Sequence, residues 1–321
     1  MKILIIGGSG FIGWKLLETI NDGKNDIIVY NRGNKNRIYP NNVRHIIGDR
    51  ANIDLLSDIV KKEKFDIVYD MCCFTVDQIK NLIPIFNGKV KRYVFISTSA
   101  VYLDNQVLPL KETSACGFHP QWGTYGNNKY ECEKLLLNAF KNDKFPVTII
   151  RPTYVYGVGN IIDRETFLFD RIEKNIPLFV PFSGEAVIQL GYISDLCEAL
   201  KLLISLEKGF GEVYNISGSE YITLNGLIKK VSEIIGKDTK IYYLDPQKYG
   251  FSQREIFPFE SNTYFVTIEK FKKDFGWEPL ISLEEGLKKS YIAWKNGEYE
   301  ITPKYDIENK LITLLKEVGV Y

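Results

Sequence analysis

The sequence predicts an α/β fold: a doubly wound parallel sheet with a smaller, discontinuous C-terminal lobe. Three observations predict it. Short β-branched runs alternate with amphipathic helical stretches through the first half of the chain, the pattern of a parallel sheet covered by helices. The first of those runs, Lys2–Ile6, passes straight into Gly7-Gly8-Ser9-Gly10-Phe11-Ile12-Gly13. After Arg151-Pro152 the alternation breaks into irregular segments that mix helices, aromatics and prolines.

Taken in order, Lys2–Ile6 is a short apolar run ended by glycine and reads as a buried strand. Phe11–Asn21 follows with helical spacing, then strand candidates at Asp26–Tyr30 and Arg44–Ile47. Helices over Asn52–Glu63 and Asp77–Phe86 flank a strand at Ile67–Asp70. Tyr93–Ser97 is the fifth strand, Tyr125–Asn142 the next helix and Val147–Arg151 the sixth strand. Right-handed crossovers join such units into a Rossmann-type sheet. Leu190–Leu206 and Glu212–Ile216 read as one further helix and strand that return to it. The expected division is therefore a dinucleotide-binding domain of residues 1–156 with 187–217, and a substrate lobe of 157–186 and 218–300. Residues 301–321 form a helical tail, with one amphipathic helix over Tyr305–Val318.

Bulk properties exclude several classes. A chain of 321 residues suffices for one large domain or two ordinary ones. The formal net charge is +1 and the lysines are spread along the chain, which argues against nucleic acid and membrane surfaces as partners. Five cysteines (Cys72, Cys73, Cys116, Cys132 and Cys197) include no C-x-x-C pair, and only His45 and His119 are histidines. A metal site or a Ser-His-Asp triad is poorly supported, and a reducing, cytoplasmic setting is expected. The N-terminal apolar run is too short for a signal peptide, and no stretch is long enough to span a bilayer.

Glycines 7, 10 and 13 stand at a strand tip and the first turn of a helix. In that context Gly7 permits a tight turn, Gly10 lets the backbone approach a pyrophosphate, and Gly13 lets helix and sheet pack closely. Phe11 and Ile12 then offer backbone N–H groups where the helix dipole favours an anion. A nicotinamide dinucleotide is the expected ligand. NAD-binding chains carry an acid at the end of the second strand, whereas this one reads Tyr30-Asn31-Arg32-Gly33, followed by Lys35 and Arg37. Arg32 suits a 2′-phosphate, so NADP is preferred, with NAD as the alternative. Asp49, in Gly48-Asp49-Arg50, is placed to accept from the adenine amino group or to cap the next helix. Arg50, Cys72 and Pro152, at the ends of the third, fourth and sixth strands, are also expected along the cofactor. The vicinal Cys72-Cys73 reads as two small hydrophobes at the cofactor wall rather than as a redox pair.

Tyr125 and Lys129 are one helical turn apart and share a helix face. A free tyrosine has a pKa of about 10 and is a poor base at neutral pH unless a nearby cation stabilises its phenolate. Lys129 can be that cation and can also hold the nicotinamide ribose. A hydroxyl that orients the substrate oxygen is expected at the end of the preceding strand, where Ser97, Thr98 and Ser99 follow one another.

Together, the glycine pattern, Ser97-Thr98-Ser99-Ala100-Val101-Tyr102, Tyr125-x-x-x-Lys129 and Arg151-Pro152-Thr153-Tyr154-Val155-Tyr156-Gly157 resemble the extended short-chain dehydrogenase/reductases. These are the NAD-dependent epimerases and dehydratases of sugar nucleotides. The likeness continues through Tyr192-Ile193-Ser194-Asp195-Leu196 and Phe275-Gly276-Trp277-Glu278-Pro279, and so covers most of the chain. It implies Tyr125 as acid/base, Lys129 as its partner, Thr98 as the orienting hydroxyl and Ser99 where dehydratases carry a group that assists elimination. It also implies a homodimer formed through the helices that carry the catalytic pair.

Within that family the chain is similar to the chloroplast stem-loop-binding proteins and their bacterial relatives. Asn31-Arg32-Gly33, Gly48-Asp49-Arg50, Gln189-Leu190-Gly191, Asn215-Ile216-Ser217-Gly218 and Phe257-Pro258-Phe259 carry this likeness. That branch is associated with RNA binding, and its plant members lack the catalytic tyrosine, which this chain keeps. Two positions depart from the epimerases. Tyr154 replaces the asparagine that reaches the nucleotide, and Ile188-Gln189 replaces the arginine that grips the diphosphate.

Phe74, Trp122, Tyr154, Gln189 and Arg254 are expected to line a substrate pocket, with Tyr156 and Tyr192 as further aromatic candidates. His119, Gln121 and Trp122 lie in a loop that could roof it, although His119 is equally a surface histidine. The resulting expectation is an NAD(P)-dependent epimerase, dehydratase or reductase acting on a hydroxyl or carbonyl of a sugar-like small molecule. The rival expectations are an RNA-binding protein on the same scaffold and a non-catalytic NADP(H)-binding regulator.

Overall fold

The computed structural model describes residues 1–104, 106–120 and 122–317, so Gln121 and Val318 lie outside the described residues. The chain begins with β1 (Lys2–Ile6), whose Ile3, Leu4 and Ile5 are fully buried, and α1 (Phe11–Ile20). It continues through β2 (Asp26–Asn31), β3 (Val43–Ile47), α2 (Ile53–Lys62), β4 (Phe65–Asp70) and α3 (Val76–Phe86). Local chemistry sets these helices. Asn52 caps α2 by accepting from the Leu55 N–H at 3.1 Å, with Asp54 in the first turn and Lys61 and Lys62 in the last. Thr75 and Gln78 form a reciprocal capping box at the start of α3. β5 (Val90–Ile96), α4 (Gly123–Asp143) and β6 (Val147–Pro152) complete the first half.

The second half contains β7 (Tyr154–Tyr156), α5 (Glu165–Glu173), β8 (Leu178–Pro181), β9 (Val187–Tyr192), α6 (Ile193–Leu202), β10 (Glu212–Ile216) and β11 (Tyr221–Thr223). After these come α7 (Leu224–Ile235), β12 (Ile241–Leu244), α8 (Gln253–Ile256), α9 (Glu269–Phe275), α10 (Leu283–Lys295) and α11 (Asp306–Glu317).

Seven strands form one parallel sheet in the order β10-β6-β5-β4-β1-β2-β3. The winding reverses between β1 and β4, and in such sheets ligands bind outside the carboxyl ends of the strands at that reversal. Strands buried on both faces need continuous apolar runs, and Ile27–Val29, Ile67–Tyr69 and Tyr93–Phe95 supply them. α1 packs on α6, while α2, α3 and α4 pack in series.

The chain divides into two compact units. The first comprises Met1–Val155, Ile193–Ser217 and Val266–Leu280; the second comprises Tyr156–Tyr192, Gly218–Phe265 and Ile281–Tyr321. Three segments differ from expectation. Residues 187–192, expected with the sheet domain, form β9, which pairs antiparallel with β11, Gln189 opposite Tyr221. The helix expected from Leu190 therefore starts only at Ile193. Residues 266–280 were expected in the substrate lobe but pack on β10. There the Phe271 and Phe275 rings meet Tyr214 edge-on at 5.3 and 5.4 Å, and the Tyr214 hydroxyl donates to Asp274 at 2.8 Å. The expected tail of residues 301–321 contains α11 (Asp306–Glu317), which belongs to the second unit. Arg171 of α5, almost fully buried, ties α11 into the second unit through Glu308 at 2.7 Å, with its guanidinium over the rings of Phe167 and Tyr305.

Candidate active site

Gly7 has φ +95°, a conformation glycine adopts at no steric cost, and a Cβ there would lie 2.8 Å from Cys72 Sγ. A Cβ on Gly13 would lie 2.6 Å from the Gly7 carbonyl oxygen, so the first turn of α1 rests directly on the loop. At Gly10 the nearest atom to a Cβ is the Gly7 oxygen at 3.9 Å, which leaves that side of the loop open. Phe11 and Ile12 occupy the first turn of α1, where backbone N–H groups have no partner within the helix. The loop offers room and donors for an anionic group of the size of a pyrophosphate.

Arg50, expected along the cofactor, turns inward. Its guanidinium forks onto Asp70 at 2.7 and 3.0 Å, and Asp70 also accepts from the Tyr93 hydroxyl at 2.6 Å. Burial opposes ionisation of Asp70, but Arg50 outweighs it and holds the carboxyl below its usual range. Removing both charges from water is costly, and the fork with its extra donor is what offsets that cost. Cys72 is half-buried against Gly7, and burial raises its thiol pKa. Cys73 is fully buried, so the pair reads as packing.

At the end of β2, Asn31 is buried and spends its side chain on its own loop. Its amide donates to the Tyr39 hydroxyl at 2.9 Å, while its oxygen accepts from the Gly33 N–H at 2.9 Å and lies 3.2 Å from His45 Nε2. Tyr39 lies against His45 with centroids 4.2 Å apart, and the Arg37 guanidinium sits 4.9 Å from the Trp14 ring centroid. Arg32 is exposed in this loop. Asp49 is also exposed and accepts from the Ala51 N–H at 2.8 Å; Asn52, not Asp49, caps α2.

Tyr125 lies in the first turns of α4 with 42% of its surface exposed, and Lys129 one turn later is 2% exposed. The Lys129 ammonium donates to the Ile96 carbonyl at 2.6 Å and lies 5.0 and 5.3 Å from the ring centroids of Phe95 and Phe74. After Ile96 the chain makes one 3₁₀ turn over Ser99–Val101, capped by Thr98, whose hydroxyl accepts from the Ala100 N–H at 3.2 Å. α4 approaches this turn closely because residue 126 is glycine: a Cβ there would be 2.5 Å from the Ala100 oxygen. That approach brings the helix carrying Tyr125 and Lys129 onto the turn carrying Thr98 and the buried Ser99.

Ser97 is not available to a ligand. Its hydroxyl donates to Glu133 at 2.5 Å, and Glu133 receives Arg151 at 2.9 and 2.5 Å. No motif marks Glu133; its signal in the sequence is an acid one further turn along the buried face of α4, beside Cys132 and Leu136. Pro152 is buried at the end of β6, opposite Ile216.

Of the substrate-side candidates, Trp122 and the buried Tyr154 come together with ring centroids 6.5 Å apart, and the exposed Phe74 lies beside Lys129. Two other candidates belong to the second unit and are engaged there. Gln189 is 2% exposed and donates to the Gly218 carbonyl at 2.7 Å, and Arg254 pairs with the buried Glu260 at 3.0 Å. Tyr156 and Tyr192 are buried and meet edge-on at 5.2 Å. His119 is buried rather than a surface histidine, with Nε2 2.7 Å from Asp104. No helix among the described residues is long and apolar enough to cross a membrane.

Residues 3–81 and 81–217 match the NAD dependent epimerase/dehydratase family. The chain is 32% identical over 305 residues to the chloroplast stem-loop binding protein of 41 kDa b of Arabidopsis thaliana, covering 90% of this chain and 78% of that protein. It is similar in fold to the UDP-glucose 4-epimerase of Thermotoga maritima solved with UDP-glucose, at a TM-score of 0.79 and 24% identity over 92% of this chain and 99% of that one. The dTDP-glucose 4,6-dehydratase of Bacillus anthracis, solved with NAD, gives a TM-score of 0.79 at 20% identity over 93% and 97%. The chain belongs to the NAD-dependent epimerase/dehydratase family.

Proposed function

We propose that this chain is an NAD(P)-dependent enzyme that interconverts a hydroxyl and a carbonyl on a nucleotide-linked sugar, as an epimerase, dehydratase or reductase. One observation carries the reading: α4, with Tyr125 open to a ligand and Lys129 buried behind it, is docked through Gly126 on the Thr98 turn. Gly7, Gly10 and Gly13, with the N–H groups of Phe11 and Ile12, would hold the dinucleotide pyrophosphate, and Asp49 the adenine amino group. When bound, the nicotinamide supplies the acceptance and return of a hydride. Tyr125 would take the proton of the substrate hydroxyl on oxidation and give it back on reduction. Thr98 orients the oxygen, and Lys129 stabilises the phenolate and holds the ribose. Ser99 stands ready to assist where elimination accompanies oxidation.

NADP is the cofactor this loop suits. Asn31 stands where an acid would accept from the ribose, and Arg32, Lys35 and Arg37 share the loop that follows. On the substrate side, Phe74, Trp122 and Tyr154 supply aromatic surface, whereas Gln189 and Arg254 are committed to Gly218 and Glu260. The Arabidopsis relative is a stem-loop binding protein by name, which favours RNA binding as the second reading. Retention of Tyr125 and Lys129 favours catalysis here.

The test is turnover of UDP-glucose, UDP-glucuronate and dTDP-glucose by the cofactor-loaded protein, wild type against Tyr125→Phe. Loss of general acid–base catalysis should lower kcat by about 10²–10⁴-fold while the NAD(P)H affinity changes little. Activity retained in the variant would sink the assignment. Cofactor binding without turnover of any of the three sugars would favour a non-catalytic regulator.

A further inference from the structure

We propose that Glu133 is a positioning residue for the Tyr125–Lys129 pair, setting the register of α4 against the carboxyl end of β5; the inference rests on the function proposed above. Three contacts connect helix and strand end in order. Gly126 lies against the Ala100 carbonyl, Lys129 donates to the Ile96 carbonyl at 2.6 Å, and Glu133 accepts from the Ser97 hydroxyl at 2.5 Å. Positions 126, 129 and 133 follow the helix spacing of three and four, so they form one line down a single face. On the strand side, Ile96 and Ser97 directly precede Thr98. Two successive turns of the helix are thus held by two successive residues of the segment that presents the substrate-orienting hydroxyl.

Glu133 is suited to this task and unsuited to most others. It is 1% exposed, so it meets no ligand, and a carboxylate so buried requires a charge partner. Arg151 of β6 supplies it through Nε at 2.9 Å and Nη2 at 2.5 Å, and also donates to the Glu112 carbonyl at 3.2 Å. The guanidinium lies 4.8 Å from the Tyr102 ring centroid, and the Tyr102 hydroxyl donates to Asn215 of β10 at 2.7 Å. The helix is therefore referenced to three neighbouring strands, β5, β6 and β10. An apolar contact of the same area would permit sliding and rotation, whereas a forked ion pair with a hydroxyl donor permits one arrangement. Buried ion pairs are often no more stabilising than apolar residues of similar volume, so geometry and stability can be separated by experiment.

The experiment uses the full chain loaded with NADPH or NADH and compares Ser97→Ala, Glu133→Gln and the double variant Glu133→Leu/Arg151→Leu with wild type. Ser97→Ala leaves the ion pair in place and keeps the test decisive should the double variant not fold. Thermal midpoint, NAD(P)H affinity by nicotinamide fluorescence, and kcat and KM for the three sugar nucleotides are measured on each. A misplacement of about 1 Å predicts kcat lower by about 10–100-fold, KM within about threefold, and cofactor binding weaker by about fivefold, in Ser97→Ala and Glu133→Gln and in the double variant even where its melting point is restored. A double variant that regains wild-type kcat and cofactor affinity together with its melting point would overturn the proposal, because the network would then only stabilise the fold. Unchanged kcat and affinity in Ser97→Ala would overturn it too. Should wild type bind cofactor but turn over none of the sugars, the proposed function fails separately, and the cofactor affinities of the variants still decide the role of Glu133.

Discussion

At the end of β2 the side chains divide their duties. Asn31 is absorbed into the loop that it organises, and Arg32 is left exposed beside it. A 2′-phosphate would find a planar donor pair there, an interaction that the 2′-hydroxyl of NADH cannot match. Replacing Arg32 with Ala should weaken NADPH binding by about tenfold, in line with the loss of one charge-assisted contact, and change NADH binding less than about twofold. Equal weakening of both cofactors by fluorescence titration would show that Arg32 does not read the phosphate. Much of this site was legible in sequence, because Gly7–Gly13, Tyr125, Lys129 and Thr98 lie in short motifs whose spacing is itself the signal. Arg50 and Glu133 were not legible in the same way. Their partners, Asp70 and the pair Ser97 and Arg151, are 18 to 36 residues away and meet them only through sheet topology.

Among the elements, α11 shows how a surface helix can be fixed by one buried charge. Arg171 has Glu308 at 2.7 Å, and Asp163 and Asp170 only at 3.7 and 3.6 Å. Glu308→Ala should cost about 3 kcal/mol, near the lower end for breaking a buried pair, because the two aspartates still compensate part of the charge. Thermal melts and limited proteolysis of α11 would read the loss; an unchanged melting point together with an unchanged digestion pattern would contradict it. The strands of the large sheet were foreseeable from their continuous apolar runs, and the helices between them from their spacing. Residues 190–192 were not, since a short apolar run reads equally as strand or helix until its pairing partner, here β11, is known. α9 was missed for a related reason: its seven residues carry too few turns to display a period, and it is Tyr214 of β10 that orders them.

For the molecule as a whole, two glutamates of the second unit give opposite contributions to pH-dependent stability. Burial raises the Glu165 carboxyl from its usual 4.5 to about 6, although it accepts from the Gly157 N–H and the Asn160 amide, both at 2.9 Å. The folded state therefore holds that proton more tightly, and Glu165 contributes stability below about pH 4.5 that is lost as pH rises through 6. Glu173, bonded by Lys237, Tyr291 and Lys295, is lowered to about 2, so its contribution is present above 4.5 and lost as pH falls through 2. Urea unfolding of Glu165→Gln should differ from wild type by an amount that shifts by about 2 kcal/mol between about pH 3.5 and pH 7, most of it between 4.5 and 6, and is flat above about 7. A difference independent of pH across that window would refute the account.

The chain passes between its two units five times, after residues 155, 192, 217, 265 and 280. Neither unit is a contiguous stretch of gene. No single cut of the chain separates one unit from the other, and exchanging a whole unit for a foreign module takes junctions at several points at once. Substitution in place needs no such junctions, and each step then has only to leave both units folded.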